Sequence, residues 1–297
     1  MIHFSRKGIQ TQRTSIRVNG RRVSLLILLP EENDSAAGRD DAAINAAFGD
    51  ATATAAPGVL WIHGGGYATG MKEMVYMGRA VDLVRNHGAV VVSPGYHLSL
   101  LHPYPTALWE CYAALIYMKD HAAELGIRSD QIMIGGESAG GGLTAAVAML
   151  ARDKGEVRIA YQMPLYPMID NFDTNSSRDN HAKAWNTRRN HMAWKLYLRK
   201  DYNKEVSPYA APARAKDYCG LPPAYTFVCT AEPFYDETLQ FVRNLQAAGV
   251  EAKADVYEGM YHAFDMMEPE HPTSRAAIQA FNEAFAYAKE HYFAKNT

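Results

Sequence analysis

The chain predicts an α/β fold, a mostly parallel central sheet with helices on both faces, and three observations carry that expectation. Short apolar runs alternate with helical stretches from residue 59 to residue 291. Runs such as 59–62 and 89–93 are almost wholly apolar, as strands covered on both faces are. The composition, 48% hydrophobic and 21% charged over 297 residues, is globular and long enough to bury a large core as one domain.

In chain order, residues 14–18, the Asn19-Gly20 turn signal and residues 23–29, closing at Pro30, predict a hairpin that gives the sheet an antiparallel edge. Residues 31–56 are rich in Ala, Asp, Asn, Thr and Gly without an apolar period, and predict a surface loop. Strands are then expected at 59–62, 89–93, 131–134, 160–165, 224–229 and 252–257. Helices are expected at 72–86, 106–125, 140–153, 237–248 and 273–291. Residues 170–206 break this rhythm: they are polar and aromatic, with Trp185, Trp194 and Tyr197 at helical spacing before a Ser207-Pro208 stop. That stretch predicts a small helical cap inserted into a single domain spanning 1–297.

Several function classes drop out on composition. Thirty Lys and Arg against 32 Asp and Glu give a formal charge of −2, with no basic cluster to track a nucleic acid backbone. Met1 to Gln10 lack the apolar core of a signal peptide, and no run of about 18 apolar residues is present to span a bilayer. Cys111, Cys219 and Cys229 have neither paired spacing nor an even count, so they read as reduced, mostly buried thiols of a cytoplasmic protein.

Gly136-Glu137-Ser138-Ala139-Gly140 follows the apolar run 131–134 and opens a small-residue helix, the strand, sharp turn and helix that a serine nucleophile elbow requires. His63-Gly64-Gly65-Gly66 ends the predicted strand 59–62, and such a run frees backbone N–H groups to converge on one point. The amides of Gly65 and Gly66, with that of Ala139, are the candidate oxyanion hole. A phosphate loop is the alternative use of such glycines, but no GK[ST] follows. Ser138 needs a base. Fold order puts it after the last strand, where His262 stands in Gly259-Met260-Tyr261-His262, whereas His87, His121, His271 and His291 fall at helix ends or in polar loops. The acid should follow the strand 224–229, where Glu232, Asp236 and Glu237 compete. Glu232 lies nearest the strand end, Asp236 is the runner-up, and Glu237 suits a helix N-terminal charge. Tyr67, after the glycine run, and Trp185 and Trp194 in the cap are the candidate substrate contacts.

Together these residues resemble the hormone-sensitive-lipase-like family of carboxylesterases, which has the α/β-hydrolase fold. The resemblance runs from about Val59 to Phe264. Beyond HGGG and GESAGG, Tyr96-His97-Leu98 with His102-Pro103-Tyr104-Pro105 is similar to the family's YRLAPEHPFPAAL stretch. PLYPMID at 164–170 and Ser207-Pro208-Tyr209 leading to Leu221-Pro222-Pro223 match as well. The family's DPLRDE segment aligns with Glu232-Pro233-Phe234-Tyr235-Asp236-Glu237, so this chain carries Glu where relatives carry Asp, and His97 replaces the arginine of YRLAP. The family's N-terminal cap helices have no counterpart before the hairpin. The resemblance implies a cofactor-free, metal-free serine carboxylesterase acting on small acetyl to butyryl esters through an acyl-enzyme, in a family where homodimers are common. Two rivals use the same residues: an amidase, arylformamidase or peptidase that expels an amine, and a non-catalytic small-molecule receptor.

Overall fold

The hairpin sets the first edge of the sheet. Asn19 and Gly20 both take positive φ, 47° and 79°, as a two-residue turn matched to strand twist requires. They join β1 (Ile9–Val18) to β2 (Arg21–Pro30) in antiparallel register, from Val18 opposite Arg21 to Ile9 opposite Pro30. The structure, a computed structural model, describes residues 8–31 and 55–296. The expected surface loop at 31–56, its ends apart, and the first seven residues lie outside the described residues.

Six more strands follow: β3 (Ala56–Ile62), β4 (Val90–Gly95), β5 (Ile127–Glu137), β6 (Tyr161–Leu165), β7 (Ala224–Cys229) and β8 (Ala252–Tyr257). The sheet order is β1-β2-β4-β3-β5-β6-β7-β8. Strands β3 to β8 run parallel, and β2 runs against both its neighbours. The helices between them are α1 (Ala80–His87), α2 (Thr106–Asp120), α3 (Ala139–Lys154), α4 (Asn175–Arg178), α5 (Thr187–Leu198), α6 (Tyr235–Ala247), α7 (Phe264–Met267) and α8 (Pro272–His291).

Period-two alternation splits the core between the faces. Leu60, Ile62, Val90 and Val92 join Leu108, Leu115, Leu143 and Val147 of α2 and α3 on one side. Val59, Trp61 and Val91 join Leu83 and Val84 of α1 and Phe281 and Phe285 of α8 on the other. Because β3 to β8 share a direction, their carboxyl ends deliver the following loops to one edge, where open α/β sheets bind ligands.

Residues 72–86, expected as one helix, form a 3₁₀ turn (Lys72–Tyr76) and then α1, with a break at Gly78. The cause is tertiary. A Cβ on Gly78 would lie 1.9 Å from Glu137 Oε1, and the Arg79 backbone N–H faces the Glu137 carboxylate. The helix expected at 106–125 stops at Asp120, and the strand expected at 131–134 spans Ile127–Glu137. Within 170–206, Thr174 caps α4 by accepting from Ser177 N and Asn186 caps α5 by accepting from Arg189 N. No helix among the described residues is long and apolar enough to cross a membrane.

Candidate active site

Ser138 sits at the turn between β5 and α3 with φ 58° and ψ −119°. A residue with a Cβ is rarely found there, and surrounding contacts must hold it. They do: its N–H donates to Leu165 O at 3.0 Å, and its carbonyl accepts from Gly142 N at 2.9 Å and Met168 N at 3.0 Å. The turn also packs hard on the end of β3, since a Cβ on Gly140 would lie 2.0 Å from Ile62 O. The glycine after the serine is therefore a close-packing requirement.

Three side chains from three loops form one hydrogen-bonded line. His262 Nε2 lies 2.9 Å from Ser138 Oγ, and Nδ1 lies 2.5 Å from Glu232 Oε2. The second oxygen, Glu232 Oε1, accepts from Cys229 N at 2.8 Å, so the carboxylate is fixed to the end of β7. With Glu232 accepting, Nδ1 carries the proton and Nε2 is free to accept from the serine hydroxyl. Glu232 is fully buried, and Ser138 and His262 nearly so. Aromatic rings enclose the imidazole: Phe234 and Tyr166 meet it edge to face at 5.0 and 4.9 Å, and Trp185 is tilted over it at 6.3 Å.

The structure separates the other two carboxylates from this line. Asp236 Oδ2 accepts from Ser176 N at 2.8 Å. Glu237 lies in the first turn of α6, as expected for a helix N-terminal acid, and is buried, accepting from Ile169 N at 2.7 Å and Asp170 N at 3.1 Å. Burial pushes its carboxyl well above the usual range.

The loop after β3 runs beside the serine. Gly65 and Gly66 have φ of 113° and 58°. The Gly65 carbonyl accepts from Ala68 N at 3.1 Å and Thr69 N at 3.0 Å, while the Gly65 and Gly66 N–H groups have no acceptor among the described residues. Ala139 supplies the first N–H of α3, which a helix leaves unpaired. His63 anchors the loop from below, stacked on Tyr96 at 4.2 Å with Nδ1 2.8 Å from Gly64 O. Burial lowers its pKa to about 4, so the ring is neutral.

Tyr67 and Trp194, expected as substrate contacts, are instead each only 1% exposed. Tyr67 stacks on Tyr197 at 4.0 Å, donates its hydroxyl to Met168 O at 2.7 Å and packs against Trp194 at 5.5 Å. They tie the glycine loop to α5, because a large aromatic surface beside a strand end is worth more buried than wet. Trp185 alone of the three stands over the site: a Cβ on Gly66 would lie 2.5 Å from its Cη2. The sequence gives no sign of Phe234 and Tyr166, since no motif marks an aromatic that packs on a histidine far along the chain. Among the described residues no cluster of three or more His, Cys, Asp or Glu side chains could hold a metal ion. Cys111 and Cys229 are buried and Cys219 is exposed, so the thiols are mostly buried, as expected.

Residues 59–266 match a family model described as alpha/beta hydrolase fold. The chain is 30% identical over 212 residues to Esterase LipI of Mycobacterium tuberculosis (strain ATCC 25618 / H37Rv), covering 70% of this chain and 66% of that one. It is 29% identical over 211 residues to an arylesterase of Saccharolobus solfataricus, covering 69% and 67%. The match thus spans about two thirds of the length of these relatives. Among solved structures, a bacterial heroin esterase superposes with a TM-score of 0.85 at 30% identity, covering 96% of this chain and 86% of that one. A thermostable esterase from Pseudomonas putida ECU1011 superposes with a TM-score of 0.83 at 27% identity, covering 98% and 85%.

Proposed function

The chain belongs to the alpha/beta hydrolase family, and from that premise we propose that it is a serine carboxylesterase cleaving small short-chain acyl esters through an acyl-enzyme. The observation that carries the reading is the unbroken line from Glu232 through His262 to Ser138, with spacings of 2.5 and 2.9 Å.

Ser138 Oγ attacks the ester carbonyl as His262 Nε2 takes its proton, and Glu232 stabilises the imidazolium that forms. The N–H groups of Gly65, Gly66 and Ala139 receive the developing oxyanion, each donor worth about 3–4 kcal/mol in comparable sites. The imidazolium then protonates the leaving alkoxide, and water activated by the same histidine releases the acid. Segment 170–206 acts as the cap. Trp185 and Phe234 crowd the imidazole, which favours acetyl to butyryl groups over long chains.

The test is hydrolysis of p-nitrophenyl esters from acetyl to dodecanoyl, together with labelling by a fluorophosphonate. The expected result is a peak at short chains, with Ser138→Ala losing both hydrolysis and label. Amide turnover equal to ester turnover would instead make the protein an amidase, and an unlabelled, inactive wild type would make it a receptor.

A further inference from the structure

A second buried carboxylate stands near the same imidazole. Asp265, three residues after His262 in α7, is 0% exposed. Its Oδ1 accepts from the Tyr166 hydroxyl at 3.0 Å, and Tyr166 is one of the two rings that meet His262 edge to face. Its Oδ2 lies 3.1 Å from Arg79 Nε, an ion pair without hydrogen-bond alignment. Arg79 is itself buried and donates from Nη1 to Asp82 at 2.7 Å. Its backbone N–H faces the carboxylate of Glu137, the residue before Ser138, whose Oε2 accepts from Trp61 Nε1 at 2.9 Å and whose Oε1 has no hydrogen-bond partner among the described residues. One arginine thus touches both the strand end that carries the serine and the helix that follows the histidine.

Such a group is expensive to bury, and apolar side chains of similar volume would serve packing as well or better. Its charge balance suggests what it does. Burial pushes the Glu137 carboxyl up to about 8, so it is protonated at neutral pH. Arg79 is then left facing two carboxylates, Asp82 and Asp265, each raised by burial and drawn back down by the guanidinium charge. Burial raises the Asp265 carboxyl, and the Arg79 charge, the Tyr166 hydroxyl and a positive charge on the imidazole oppose that rise; an ionised Asp265 and an imidazolium attract one another. The titratable groups that act on Asp265 are Arg79, Tyr166, His262, Glu137, Cys229 and Tyr257. Around His262 itself stand Ser138, Glu232 and Tyr166, with uncharged Phe234 and Trp185.

We propose that Asp265, held by Arg79 and bridged by Tyr166, is a second positioning carboxylate for His262, fixing the ring and stabilising the imidazolium that forms during ester cleavage. This rests on the reading of His262 as the general base.

The experiment follows kcat and KM for p-nitrophenyl acetate from pH 5 to 9 in wild type, Asp265→Asn and Tyr166→Phe. It is paired with NMR titration of the His262 imidazole in ¹³C-histidine protein, assigned by the signal lost in His262→Gln. In Asp265→Asn, kcat should fall about 10- to 30-fold with KM nearly unchanged, less than the 10²–10⁴ of a whole general base. Losing a nearby negative charge disfavours the imidazolium, so the acidic limb of kcat and the NMR midpoint should both move to lower pH. Tyr166→Phe, which keeps the charge but frees the ring and the carboxylate, should move both less and in the same direction; it stands in if Asp265→Asn does not fold. An unchanged limb, midpoint and kcat in a variant that only melts earlier would make Asp265 structural and overturn the proposal. A wild type that hydrolyses no ester would instead sink the esterase reading, while the NMR midpoint would still judge Asp265.

Discussion

The carboxyl edge of the sheet and the segment 170–206 above it are built on different rules. At the edge, backbone fixes the chemistry: Ser138 is clamped by Leu165, Gly142 and Met168, Glu232 by the Cys229 N–H, and Gly140 lets the turn press onto β3. In the segment above, side chains fix the position. Trp185 lies over Gly66, Tyr197 stacks on Tyr67, and the Arg199 guanidinium donates to Ser99 O at 2.9 Å and Leu100 O at 2.6 Å. Backbone-fixed groups sit within tenths of an ångström and tolerate no change, whereas a side-chain contact can be exchanged for another of similar volume. Reaction should therefore be lost at the edge, and selectivity changed above it.

The sharpest break in that comparison is between two carboxylates four residues apart. Glu232→Gln should lower kcat about 10⁴-fold, as loss of the histidine's orienting acid does in a triad. Asp236→Asn should stay within a few-fold, because Asp236 accepts from Ser176 in the cap. Steady-state kinetics on one short ester near pH 8 checks both, and a crippled Asp236→Asn with an active Glu232→Gln would reverse the assignment.

Next in size is Gly66→Ala, which probes where the two regions touch. Its Cβ would collide with Trp185 and come within 3.1 Å of Ala193 Cβ, at a φ of 58° that strains any L-residue. Displacing this amide should cost about 10²–10³ in kcat, the worth of one oxyanion donor. Adding Trp185→Ala should recover part of the loss, since one of the two collisions is gone. A double variant no better than the single would mean that backbone strain, not the cap, is what Gly66 relieves.

How much of this is legible in the sequence follows the same division. Parallel strands buried on both faces read as apolar runs, so β3 to β7 stand out, whereas the edge strand β8 is only half-buried and carries Lys253 and Asp255. Backbone-fixed positions demand glycine, so HGGG and GESAG advertise the edge, and fold order leads to His262 and Glu232, which the structure brings to Ser138. The cap is legible only as an interruption. Its three aromatics look alike in sequence, yet Trp194 and Tyr197 are core and Trp185 covers the site, because helical spacing says which residues share a face and not what the face meets. The break at Gly78 and the cluster of Arg79, Asp265 and Tyr166 are invisible for a related reason: residues 79, 137, 166 and 265 carry no joint pattern until folding places them together.

Trp185→Ala alone should have a smaller effect and of another kind. Acetyl ester turnover should change by less than about tenfold, while the optimum shifts to longer acyl chains, a methylene in such a pocket being worth about 1–3 kcal/mol. Chain-length profiles of kcat/KM measure this. A loss of turnover with an unchanged optimum would place Trp185 among the groups that fix the chemistry.

The gentlest effect is in stability against pH, carried by two buried groups of the edge. Glu137 has its pKa raised from 4.5 to about 8, mainly by burial. Between those values the folded state holds a proton that the unfolded chain has released, so this stabilising contribution is full below 4.5 and is lost as pH rises towards 8. His63, lowered from 6.5 to about 4 by burial, has the opposite sign: its contribution is full above 6.5 and is lost as pH falls towards 4. Urea unfolding at each pH isolates the first effect as a difference. Glu137→Gln, which mimics the protonated side chain, should gain on wild type by up to about 1.4 kcal/mol per pH unit from 4.5 to 8 and level off outside that window. A flat difference would mean that Glu137 is ionised in the folded protein at neutral pH. An ionised Glu137 would then stand beside Arg79 with Asp265, and removing Asp265 would change a smaller share of the field at the imidazole.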